Sequence, residues 1–208
     1  MLGVASGSIL VPLNSTMLAV ALPGVMDEFG LGADAVSSLV SLYLGAVALA
    51  LPVSGSLGDR FGHRRLFLGG VVVFGLSSLL AVSGGSFLLL QVARVLQAVS
   101  GAFVSTSSAA LIREAAPASR RGEAFGIFDL LVSTSAAAGP FIGGLLVGAF
   151  GWRSLFVVAI PVAAVAALSV QFLFRPAAGA GVGPAAAGMG APPANPSRRP
   201  LDPVGLTL

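Results

Sequence analysis

Cysteine and lysine are both absent from the 208 residues, and only 9% of the chain is charged. Without cysteine there can be no disulfide and no thiolate metal site. Without lysine, the net charge of +3 rests on arginine alone. A soluble domain carries about 25% charged residues, so the shortfall here excludes an ordinary soluble fold. In so apolar a chain the basic balance does not point to nucleic acid; it reports membrane topology. Also missing are a pair of acids within one apolar run, a nucleophile–base set and a metal cluster, so no enzyme chemistry and no cofactor is expected.

What is present is hydrophobic. Apolar residues make up 56% of the chain and the mean hydropathy is +0.98. A bilayer-spanning helix needs about 20 mostly apolar residues. Six runs qualify, at 2–26, 36–57, 65–84, 87–112, 124–149 and 153–174. The first lacks the charged start of a signal peptide and is too long for one, so it is expected to stay in the membrane. The expected fold class is an all-α membrane protein, with residues 1–174 forming a six-helix bundle. Residues 175–200 are rich in Ala, Gly and Pro and read as a flexible cytoplasmic linker. Residues 201–208 read as the beginning of a further helix.

Charge tests the topology. With the 57–65 turn inside, Arg60, Arg64, Arg65, Arg113, Arg120, Arg121, Arg175, Arg198 and Arg199 all fall inside. Arg153 alone falls outside, and Arg94 lies within the fourth run. This is the bias of a multi-pass plasma (inner) membrane protein with both termini cytoplasmic.

Polar groups inside a span are expensive and mark function by default. Arg94 is the costliest, at about 2.5–3.5 kcal/mol for an arginine at mid-helix. Arg94, Gln97, Gly101 and Ser105 recur at spacings of three and four, on one helix face. Counting about 1.5 Å per residue, Asn14 in the first run and Arg94 reach nearly the same depth and are expected to share a central cavity. Asp129 is the sole acid within a span. It lies about 10 Å too far from Arg94 for a direct pair. Two roles stay open for it: proton uptake by a carboxylate of raised pKa, or pairing with a loop arginine. Met17 shares the Asn14 face, where it suits either varied apolar substrates or plain packing.

The turn Gly55-Ser-Leu-Gly-Asp59-Arg60-Phe-Gly62-His-Arg64-Arg65 resembles the loop between helices 2 and 3 of the major facilitator superfamily, G-x-L-x-D-R-x-G-R-R/K. His63 stands where Arg is frequent. Arg94-Val-Leu-Gln97 resembles the family's helix 4 motif R-x-x-Q-G-x-G-A, with Ala98 and Ser100 replacing both glycines. Those replacements put close helix packing there in doubt. Ser135-Ala-Ala-Ala-Gly139-Pro140-Phe-Ile-Gly143-Gly144 resembles the antiporter helix 5 motif G-x-x-x-G-P-x-x-G-G. Leu13 to Pro23 resembles the helix 1 signature of the multidrug branch, with Asn14 in place of Asp. Trp152-Arg153-Ser-Leu-Phe156 resembles the start of helix 6.

The resemblance implies the N-terminal half of a transporter, three helices plus three in inverted repeat, most like the 14-helix drug:proton antiporters. It implies a small-molecule substrate, protons, a lipid bilayer and a missing C-terminal half as partners. Asn14, Met17, Arg94 and Gln97 are then expected on the cavity wall. Asp59, Arg60, Arg64 and Arg65, with Gly55 and Gly62, are expected at a cytoplasmic gate. Gly139, Pro140, Gly143 and Gly144 are expected to seal against a helix of the other half. A metabolite permease of the same fold, or a truncated chain that transports nothing, stays open on the sequence.

Overall fold

A computed structural model describes residues 2–173, with side chains from Gly7 to Gln171. The proposed linker at 175–200 and the helix start at 201–208 lie outside the described residues. Six helices follow in order: α1 (Leu2–Phe29), α2 (Ala33–Phe61), α3 (His63–Ser83), α4 (Phe87–Ala115), α5 (Arg121–Phe150) and α6 (Ser154–Leu173). One 3₁₀ turn, Ala118–Arg120, precedes α5. All six are long and apolar enough to cross a membrane.

Several helices run past the apolar stretches that announce them. The 57–65 turn of the sequence reading contracts to a single residue, because α2 continues through Asp59 and Arg60 to Phe61. The physical reason is that backbone hydrogen bonding does not stop where hydrophobicity stops. At about 1.5 Å per residue, the 29 residues of α2 exceed a hydrocarbon core of about 30 Å. Gly62, at φ +89°, turns the chain straight into α3. That angle strains any residue with a Cβ. Ser86 starts α4 by accepting from the Leu89 N–H at 3.3 Å, an ordinary N-cap.

The packing has a two-fold logic. α1 packs on α5 and α6, and α4 correspondingly packs on α2 and α3, while α3 and α6 pack on each other. Exchanging α1–α3 with α4–α6 leaves this pairing unchanged, which is what an inverted three-plus-three repeat requires. Close approach is bought by small residues. A Cβ on Gly101 would meet Val11 of α1, and one on Gly70 of α3 would meet the Ser100 carbonyl at 3.0 Å. The close packing of α4 that Ala98 and Ser100 put in doubt is therefore present.

Two apolar clusters form the core. One gathers Leu10, Phe67, Phe74, Val104 and Ala163; the other gathers Met17, Val25, Leu39, Leu90 and Phe156. Along α1, α3 and α4 the residues between these clusters are Asn14, Ser78, Arg94 and Gln97. The polar layer thus sits between two apolar ones.

Candidate functional site

The polar layer is built around Arg94, which is 1% exposed. Its Nη1 donates to Asn14 Oδ1 at 3.1 Å and to Gln97 Oε1 at 2.9 Å. Gln97 Nε2 donates on to Ser78 Oγ at 2.9 Å, which donates to the Phe74 carbonyl. Arg94 and Gln97 together therefore tie α1, α3 and α4. The Arg94 Cζ lies 4.2 Å from the centroid of the Tyr43 ring of α2. A desolvated cation–π contact of this kind contributes about 2 kcal/mol or more. Among the described residues Arg94 has no ion pair with an acid, and its Nε is buried without a partner.

Tyr43 is the residue that sequence reasoning missed. It is the sole tyrosine of the chain, and an aromatic hydroxyl inside an apolar run was the available signal. Its hydroxyl shares a 2.5 Å hydrogen bond with Ser15 Oγ. On the other side of this wall lies a cleft of about 280 Å³ between α1, α2, α4 and α5. Ser8, Ser15, Tyr43 and Ser105 contribute hydroxyls to its lining, and Phe128 and Val132 contribute apolar surface from α5.

Asn14, Met17, Arg94 and Gln97 are all buried, and none lines this cleft. Asn14 and Met17 line a separate small pocket with Leu10, Leu13 and Leu155. Arg94 and Gln97 form the packed layer behind the cleft. Met17 is core, lying against the site of Gly143. Of the polar stripe on α4, Ser105 alone is exposed.

The helix 5 motif splits by face. Ser135, Gly139 and Gly143 are buried. A Cβ at 139 would run into Thr16 and approach the Leu13 carbonyl at 3.2 Å; one at 143 would meet Met17 Cα at 3.1 Å. Gly139 and Gly143 seat α5 on α1 within the bundle. Pro140 is exposed, and Gly144 is half-buried with Val20 of α1 3.9 Å from its Cβ position. Asp129 is exposed on α5 and has no hydrogen bond or ion pair among the described residues. Of the two roles left open for it, pairing with a loop arginine finds no partner among the described residues.

At the α2–α3 junction, Asp59 is 81% exposed and lies 3.4 Å from His63 Nε2. The His63 ring fills the space that a Cβ on Gly58 would occupy. Arg64 Nη2 donates to the Gln171 carbonyl of α6 at 3.3 Å. Arg60 lies 5.4 Å from the Phe61 ring, and Arg65 is exposed. Gly55 is half-buried with nothing near its Cβ position. At the opposite end, Glu28 of α1 accepts from Trp152 Nε1 at 2.8 Å and pairs with Arg153. Arg153 in turn lies over the Trp152 ring.

Six apolar helices, a charged turn at the α2–α3 junction and the Arg94 layer agree with one family's sequence pattern, which matches residues 4–205. The chain belongs to the Major Facilitator Superfamily. It is 40% identical over 168 residues to an uncharacterized MFS-type transporter, YvkA, of Bacillus subtilis, covering 81% of this chain and 38% of that protein. It is 40% identical over 162 residues to the tetracenomycin C resistance and export protein of Streptomyces glaucescens, covering 78% and 30%. It is 36% identical over 175 residues to a multidrug resistance protein B homolog of Mycobacterium tuberculosis, covering 82% and 32%. The chain thus matches about a third of the length of these relatives. Membership makes it a multi-pass membrane protein of a transporter family rather than an enzyme family.

Proposed function

We propose that this chain is the N-terminal half of an exporter that drives small molecules out of the cell against inward proton flow, by alternating access. The observation that carries the reading is the cleft between α1, α2, α4 and α5, mixed in hydroxyl and apolar lining and backed by a rigid Arg94 layer. Such mixed lining, largely preformed, is the usual character of a small-molecule site. Relatives named for multidrug resistance and for tetracenomycin C export support the direction. A second half of the fold closes the open side of the cleft. The arginine bias supports a cytoplasmic α2–α3 junction in a plasma-membrane protein, and in this reading Asp59, Arg60, Arg64 and Arg65 act as a gate between the halves.

In this reading Arg94 and Gln97 hold α1, α3 and α4 in one body, so that the half moves as a unit around the substrate. Asp129, an exposed carboxylate on the helix that lines the cleft, is the proton-carrying candidate of this half. The test is export by the complete protein carrying Arg94→Ala. Export falls at least about tenfold, or ~1.4 kcal/mol, while membrane insertion stays normal by surface labelling. Unchanged export in that variant removes the Arg94 layer from the mechanism.

A further inference from the structure

A groove of about 210 Å³ runs along the seam between α3 and α6. Its floor is small: a Cβ on Gly75 would stand 3.5 Å from the Ala163 Cβ. Val72, Leu76 and Leu79 wall it from α3, and Ala164 and Ala167 from α6. Those three α3 side chains are more than half exposed, so the groove opens outward to the bilayer. Arg65, Val72, Leu76 and Leu79 recur at spacings of seven, four and three, on one face of α3. Ala164, Ala167 and Gln171 recur at three and four on α6. Arg64 Nη2 donates to the Gln171 carbonyl at 3.3 Å. The seam therefore ends, on the side of the α2–α3 junction, in a pair of arginines.

That pair has charge to spare. No described acid is paired with Arg64 or Arg65, and Asp59 of the same turn lies 3.4 Å from His63. A guanidinium carries five N–H donors. Among the described residues Arg64 has one acceptor, and its Nε is buried without a partner. Arg65 is exposed. We propose that this seam seats an anionic phospholipid, with its phosphate on Arg64 and Arg65 and one acyl chain in the groove. The lengths agree. Val72 lies about 10 Å along α3 from Arg65, and Leu79 about 20 Å. One leaflet contributes about 15 Å of hydrocarbon, with the headgroups beyond it. A phosphate at the arginines thus leaves an acyl chain alongside Val72 and Leu76. Basic pockets between spanning helices recognise anionic headgroups in this way. A second copy packed two-fold on the same seam would instead set its own Arg64 and Arg65 against these, like charge to like.

The test is native mass spectrometry of the complete protein, delipidated and titrated with dioleoylphosphatidylglycerol or dioleoylphosphatidylcholine. The anionic lipid binds at least about fivefold more tightly, the share of one basic side chain at a membrane surface. Arg65→Gln removes that preference and Arg65→Lys keeps it. Ala164→Phe fills the groove from α6 and weakens the anionic lipid by a similar factor. Arg65 and Ala164 are both exposed, so neither change enters the core. Equal binding of the two lipids overturns the proposal, as does a preference that survives Arg65→Gln. Binding unmoved by Ala164→Phe overturns the seat of the acyl chain and with it the site. Leu76→Cys stays monomeric in oxidised membranes; a disulfide-linked dimer gives the groove to a second copy and overturns the lipid.

Discussion

Arg94 shows how one side chain can organise a bundle. An arginine buried to 1% exposure is tolerated because two amide oxygens and an aromatic face replace its water. Its depth and its nearness to Asn14 were legible from counting along two helices. Its burial behind Tyr43 was not, since helical spacing says which residues share a face and not which way the face turns. Asp129 poses the opposite case, an exposed acid without a partner among the described residues. If it carries the proton, Asp129→Asn abolishes the dependence of export on the pH gradient in inverted vesicles while substrate binding persists. Gradient-dependent export that survives the change assigns the proton to another group.

At the scale of elements, the glycines of α5 separate into structural and tolerant positions. Gly139→Ala forces a methyl into Thr16, whose hydroxyl is already held by the Pro12 and Leu13 carbonyls. The expected loss is about 1–3 kcal/mol of overpacking, read as a lowered thermal unfolding midpoint. Thr16→Ala in the same chain recovers only part of it, because the Leu13 carbonyl still stands 3.2 Å away. Gly144→Ala, whose nearest neighbour is Val20 Cγ1 at 3.9 Å, leaves the midpoint unchanged. Equal losses at both positions contradict this division. The clasp between the end of α1 and the α5–α6 turn makes a second test. Trp152 is the sole tryptophan, and Glu28 holds both its indole and Arg153. Glu28→Ala shifts tryptophan emission to longer wavelength as the ring loosens, with a stability cost of at most about 1 kcal/mol for so exposed an ion pair. An unmoved spectrum means that Phe29 and Phe156, which pack on the ring, hold it without Glu28.

At the scale of the whole chain, the absence of cysteine from these 208 residues is an experimental asset. Single cysteines at exposed turn positions report sidedness without background. Gly85→Cys, between α3 and α4, reacts with a membrane-impermeant maleimide on intact cells. Ser119→Cys, between α4 and α5, reacts only after the cells are opened. The reverse pattern inverts the topology that the arginines indicate. The pairing of helices adds a constraint on motion. Because α1 and α4 each hold two neighbours of the other triplet, the six helices form an interlocked body. Movement is then expected between halves, and not within this one.

Much of this protein was written in its composition and order. Six apolar runs, the arginine bias and the charged turn at Gly55–Arg65 decide the number of helices, the expected sidedness and the family, because hydrophobic length and charge placement act locally along the chain. Helix ends were read less well, since the hydrogen-bonded backbone outlasts the apolar run that signals it. The tertiary structure alone decided which polar residues face inward and which face the cleft. Asn14, Ser15 and Thr16 are consecutive, yet one binds Arg94, the next meets Tyr43 and the third lies beneath Gly139. Successive residues on a helix point about 100° apart. What each meets depends on how five other helices pack around it, and no local pattern carries that information.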